Sequence, residues 1–221
     1  MAEDLAVSLA QGVPWLDFRI SRKHRVALIG REDNPGLTRW RIRSLTRGKG
    51  YKVDDLGDRL YINTREQTAK FLLDDGSHLS TMISALSEVH PEIAIFDVFN
   101  VLHHANENDN TEMRTVLESL SAIQREVGCS IGVVHHFNKL SEGTMTQRLR
   151  GSSAIAGWAE WLIGLDTPEK EMRRVQFELK AASAPEPRWV SIQSEAGASW
   201  VRTCEPPSSA KGRRKPQDIL Q

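Results

Sequence analysis

Cysteine is scarce in this chain: Cys129 and Cys204 are its only two, and neither belongs to a CxxC pair. Two isolated thiols exclude a disulfide framework and fit a reducing, cytoplasmic setting. Long apolar runs are missing too. None reaches membrane-spanning length, and the acidic start Met1-Ala2-Glu3-Asp4 lacks the cationic region of a signal peptide, so no membrane partner is expected. There is no excess of either charge, with 29 Lys+Arg against 29 Asp+Glu, so contact with nucleic acid has to come from a local patch. The last absence concerns phosphate chemistry, since no GxxxxGK[ST] occurs. Arg47-Gly48-Lys49-Gly50 reads as a helix end, with no second glycine at the needed spacing and no Ser/Thr after the lysine. Tight phosphate binding therefore lacks the backbone amides and lysine that usually anchor it.

What remains is ordinary globular composition, 39% apolar and 26% charged, in a chain long enough for one large domain with a substantial core. Strand and helix patterns alternate. A helix over residues 2–11 carries Leu5 and Leu9, has nothing to cap its front, and stops at Gly12. The apolar run 26–30 leads through Glu32-Asp33-Asn34-Pro35 into a helix expected to turn Leu37, Trp40, Ile42 and Leu45 inward, closed by Gly48. Residues 59–63 form a short strand. Leu79, Met82, Ile83, Leu86 and Val89 make a second apolar helix face that ends before Pro91. The strand 93–97 closes on Asp97. A polar loop follows, in which His103-His104 reads as solvated surface. Asp109 with Glu112 then forms a capping box for a helix striped by Met113, Val116, Leu117, Leu120, Ile123 and Val127. A strand 130–135, a polar loop 137–150, a short helix through Trp158 and a strand 161–165 come next. Beyond Pro168 the segments 175–179, 189–192 and 199–201 alternate in the manner of antiparallel strands. From Pro206 the chain becomes a basic, Pro- and Ser-rich tail.

Alternating strands and helices indicate an α/β fold with a mostly parallel central sheet and antiparallel strands appended at the C-terminal edge. Ligands of such sheets bind at the carboxyl ends of the strands. Three ends carry polar chemistry: Glu32-Asp33, Asp97 and His135-His136. Asp97 could hold magnesium through water beside a nucleotide, or act as a turn aspartate. Glu32 could polarise an attacking water, leaving Asp33 or Asn34 to cap the next helix. Neighbouring histidines on a strand point to opposite sides, which argues against joint metal ligation. One is expected to be packed while the other reaches a γ-phosphate. Arg150 ends a polar loop that also carries Lys139 and Arg148, enough cations to touch a nucleic-acid backbone.

The ordered set Glu32-Asp33-Asn34-Pro35, Ile93 to Asp97, Asn108 to Met113, Val134 to Lys139 and Arg150 to Ala154 resembles the RecA-like ATPases of the RepA-type replicative helicase group, AAA-family ATPases of plasmids, phages and mobile elements. The similarity runs from residue 1 to about Thr203. It implies a three-layer RecA-like core over 1–203, with 204–221 a linker or basic tail. It also implies ATP and Mg2+ as ligands, a ring, expected to be a hexamer, and single-stranded DNA as partner. By position, Glu32 would be the catalytic glutamate and Asp97 the metal-holding Walker B aspartate. His136 rather than His135 would sense the γ-phosphate, and Arg150 would serve the neighbouring subunit's ATP. The 137–149 loop, with Lys139 and Arg148, would line the DNA channel. In that family the phosphate loop directly precedes the first helix. Two expectations follow: a natural N-terminus upstream of Met1, or a short form with impaired ATP binding that serves as a non-catalytic interaction or regulatory module. A third reading is sequence-independent DNA binding through the 137–150 loop and tail.

Overall fold

The computed structural model describes residues 1–30, 33–64, 71–137, 144–149, 153–169 and 171–207. Near-continuous apolar runs form the parallel strands, as expected for strands covered on both faces. β1 (Val26–Gly30), β2 (Leu60–Asn63), β3 (Ile93–Asp97) and β4 (Ser130–Val133) lie side by side in the order β2-β1-β3-β4, all parallel. Successive residues point to opposite faces. Ala27, Ile29, Ala94 and Phe96 pack one way, against Met82 and Leu86 of α3 (Gly76–Val89) and Met113, Val116, Leu120 and Ile123 of α4 (Asn110–Val127). Val26, Leu28 and Ile95 pack the other way, against Ala6, Val7 and Ala10 of α1 (Ala2–Gln11) and Ile42 and Leu45 of α2 (Pro35–Gly48). The result is three layers, with helices on both faces of the sheet.

The helix ends follow local chemistry. Asn34 accepts from the Gly36 N–H ahead of Pro35, Asp75 caps α3, and Asp109 accepts from the N–H groups of Thr111 and Glu112 at 2.7 and 3.1 Å. Glu112 completes this turn by accepting from the Asn106 N–H rather than from the Asp109 backbone. Gly12 and Gly128 take the left-handed conformation that closes α1 and α4. Nothing caps α1 through a side chain.

After α5 (Met145–Arg148) and α6 (Ser153–Trp158) the chain builds a second sheet. β5 (Trp161–Glu169), β6 (Met172–Leu179), β7 (Arg188–Glu195) and β8 (Ala198–Cys204) pair antiparallel in sequence order. The antiparallel strands fall on the C-terminal side as expected, and β5 joins them rather than β4. The two sheets are tied by helices. Met1, Leu5 of α1, Trp15 and Phe18 pack on Val175, Phe177 and Val190. α2 abuts β8 so closely that a Cβ on Gly48 would overlap the Ser199 carbonyl.

That contact corrects the expected orientation of α2. Leu37 and Trp40 are exposed, and the buried positions are Pro35, Thr38, Ile42, Ser44, Leu45 and Thr46. The small residues among them let α2 approach its neighbours, so close packing overrides the apolar stripe. The solvated reading of His103-His104 holds only for His104. His103 is buried against Phe99, with ring centroids 4.9 Å apart. Burial lowers its imidazole pKa, and the charges of Glu107 and Asp74 oppose that shift. Among the described residues no helix is long and apolar enough to cross a membrane.

At the amino ends of the strands, Glu92 binds the guanidinium of Arg22, the Arg25 N–H and the His24 ring. The Arg22 hydrogen bonds lead in drawing the Glu92 carboxyl down to about 2, against its partial burial. A depressed carboxylate contributes stability above its unfolded value of 4.5 that is lost as pH falls toward 2. The Glu92→Gln protein should therefore lose less melting temperature than the parent between these values. The difference should be modest, because the pair is solvent-screened. Parallel melting curves across that pH range would refute this.

Candidate functional site

β1, β3 and β4 are neighbours and run the same way, so their carboxyl ends share one edge of the sheet. Gly30 stands opposite Asp97, and Phe96 opposite Val133. Gly30 brings no side chain there, and a Cβ on it would meet the Asp97 carbonyl at 3.7 Å. The peptide after Asp97 is cis. The chain then turns under β4, where the Phe99 N–H donates to the Val134 carbonyl at 2.8 Å and Val134 donates to Phe96 at 2.9 Å. These bonds fix the end of β4 against the residues that follow Asp97.

The first turn of α1 reaches the same edge. Arg41 of α2 is hydrogen-bonded to Asp33 and lies 3.5 Å from Glu3. Burial pushes the Glu3 carboxyl above its usual range against the pull of Arg41, and the negative charge of Asp97 adds to the rise. Glu3 and Asp33 share Arg41, and Asp97 is near enough for its charge to bear on Glu3. A hard divalent cation that keeps most of its water needs only one or two carboxylates from the protein. Asp97, at the end of β3, is the residue that would supply one. Among the described residues no cluster of three or more His, Cys, Asp or Glu could ligate a metal unaided. For the phosphates of a nucleotide there is the N-terminal turn of α1 but no GxxxxGK[ST] within the 221 residues.

The two histidines after β4 differ sharply. The His135 side chain is 3% exposed, its ring edge meets Phe99, and its Nδ1 lies 3.8 Å from Glu107. His136 is exposed, three residues beyond the end of β4. Of the other residues expected at the site, Glu32, Lys139 and Arg150 lie outside the described residues. The described neighbours of Glu32 are Gly30, opposite Asp97, and Asp33, bound to Arg41. Arg148 is placed on the antiparallel sheet. Its guanidinium is 3.2 Å from Asp166 and stacks 4.8 Å over the Phe137 ring. Asp166 also accepts two bonds from Arg174, while Met145 packs under Gly164 and donates its N–H to Glu178. Residues 144–149 are thereby anchored on β5 and β6. Glu3, Arg41 and Glu107 were not singled out from the sequence. An i-to-i+8 pair such as Asp33 and Arg41, flanking a helix start, was the one available signal. A concavity lined by Pro91, Glu92, Gly128 and Ser130 lies at the opposite ends of the strands from Asp97.

Comparison with known proteins adds two findings. The family model described as an AAA domain matches residues 1–142. The crystal structure of the RadB recombinase is similar over 82% of this chain and 80% of that one, at 16% identity and a TM-score of 0.53. At that identity the likeness is one of fold, a RecA-like one. No curated protein matches the sequence.

Proposed function

The chain belongs to the AAA domain family and has a RecA-like fold, and from that premise we propose that it binds and hydrolyses ATP with magnesium. The reading extends to a RepA-type DNA helicase, or a helicase-like motor, acting in replication or recombination of a mobile element. The observation that carries it is Asp97 at the end of β3, in register with the end of β1 and near enough to the first turn of α1 for its charge to bear on Glu3.

The residue roles follow from chemistry at that edge. Asp97 would hold magnesium, which would polarise the terminal phosphate, and Glu32 would accept a proton from the attacking water. His136 donates a hydrogen bond toward the terminal phosphate, and buried His135 keeps the end of β4 in place. Arg150 reaches the nucleotide of the neighbouring subunit in a ring, a hexamer in this reading, where a guanidinium offsets charge developing on the phosphoryl group. Lys139 faces single-stranded DNA from the 137–150 loop, and Arg148 supports it by its bond to Asp166. Bound Mg-ATP would supply the scissile anhydride and neutralise part of its charge.

The test uses the natural full-length polypeptide in calorimetry with Mg-ATP and in phosphate-release assays with and without single-stranded DNA. Binding together with DNA-stimulated release is expected. A folded protein that neither binds nor hydrolyses ATP would instead be a non-catalytic RecA-fold interaction module. The absence of GxxxxGK[ST] in these 221 residues is the observation that favours that second reading.

A further inference from the structure

α2 departs from the charge balance of the chain. Its sequence PGLTRWRIRSLTRG holds Arg39, Arg41, Arg43 and Arg47 and no acidic residue. Arg41 turns inward to Asp33 and Glu3. Arg39, Arg43 and Arg47 point to solvent, and among the described residues none has a hydrogen-bond or ion-pair partner. Spaced by four residues, they lie along one side of the helix about 6 Å apart. That is close to two nucleotide steps at roughly 3.4 Å each. Trp40 stands within this row and is 54% exposed. Tyr51, 37% exposed, lies just past the helix end.

We propose that this face of α2 binds single-stranded nucleic acid, with the three arginines on alternate phosphates and Trp40 stacked on an unpaired base. An arginine row on a helix that carries no acidic residue complements a polyanion, and an exposed indole offers a sequence-tolerant stacking surface. A duplex keeps its bases stacked and leaves the indole without a partner. The face is separate from residues 144–149. α2 packs on β8 and those residues pack on β5, the two outer strands of the antiparallel sheet. Binding here needs no nucleotide, so it goes beyond the ATPase reading and does not depend on it.

The experiment follows fluorescence anisotropy of a labelled oligothymidine with the full chain, without nucleotide, over a salt series. Replacing Arg39, Arg43 and Arg47 together by alanine should lower the slope of log affinity against log salt by about 2, at about 0.7 per phosphate on a single strand. The corresponding loss is on the order of 100-fold near 0.1 M salt. The triple lysine variant should keep the slope. Trp40→Ala should weaken binding about 10-fold without changing it. All three positions are exposed, so melting temperatures should match the parent. Asp97→Ala should bind the oligonucleotide as the parent does, whatever its ATP turnover, which separates this test from that of the nucleotide site. Four results would overturn the proposal: unchanged affinity and slope in the alanine triple, an equal loss in the lysine triple, preference for a duplex of the same length, or arginine-dependent binding to anionic phospholipid vesicles with none to the oligonucleotide.

Discussion

Asp97→Ala is expected to reduce saturated Mg-ATP turnover at least 100-fold while leaving the protein folded. Asp97 ends β3 in register with Gly30, only partly buried, so its removal opens no core cavity. It does take away the carboxylate proposed to hold the metal. Glu32→Gln should lower turnover by about 10²–10⁴-fold, the usual range for a positioned general base, and leave Mg-ATP affinity nearly unchanged. The contrast is diagnostic, because a metal-holding residue affects the magnesium requirement whereas a base affects only the chemical step. Asp33→Asn is the control. Asp33 is held by Arg41, and its replacement should affect the β1–α2 turn more than the chemistry. Turnover that survives both Asp97→Ala and Glu32→Gln would remove these residues from the reaction.

Lys49→Met should cost about 3–5 kcal/mol of folding stability, measured by urea denaturation, because it leaves an uncompensated charge inside the protein. Lys49 Nζ lies 2.7 Å from Asp4, with side-chain exposures of 13% and 2%. The pair joins the first turn of α1 to the end of α2. Replacing both partners, as Asp4→Leu with Lys49→Met, should recover most of that loss, since apolar groups of similar volume cost little at such a site. If the double variant is no more stable than Lys49→Met, stability does not reside in the pairing of these charges.

The parallel core was legible because its strands are short apolar runs and its helices carry clear stripes and caps. Asp109, Gly12, Gly128 and the stripe from Met113 to Ile123 fall where the pattern puts them. Asp97 was legible for a related reason, as an acid that closes a buried run. Relations between segments far apart in sequence were not. The inward side of α2 is chosen by its fit to Ser199 across a glycine, and no periodicity in the helix records that. Lys49 read as a helix end because Asp4 is distant in the chain. His103 and His104 are alike in sequence, and only the fold of the 99–109 segment over Phe99 separates them. β5 reads as one more apolar strand, and its pairing with β6 instead of β4 depends on the hairpin that follows.

The packing of α1 has a mechanical consequence. Among the described residues no backbone ladder joins the parallel sheet to the antiparallel one. α1 nevertheless rests on both, through Ala6, Val7 and Ala10 on one side and Leu5, with the preceding Met1, on the other. It works as a keel, so a load applied at its first turn is felt at Val175 and Val190 as directly as at Val26 and Ile95. Whatever tightens around Asp97 and Glu3 should therefore slow amide exchange in β6 and β7, strands that lie in the other sheet.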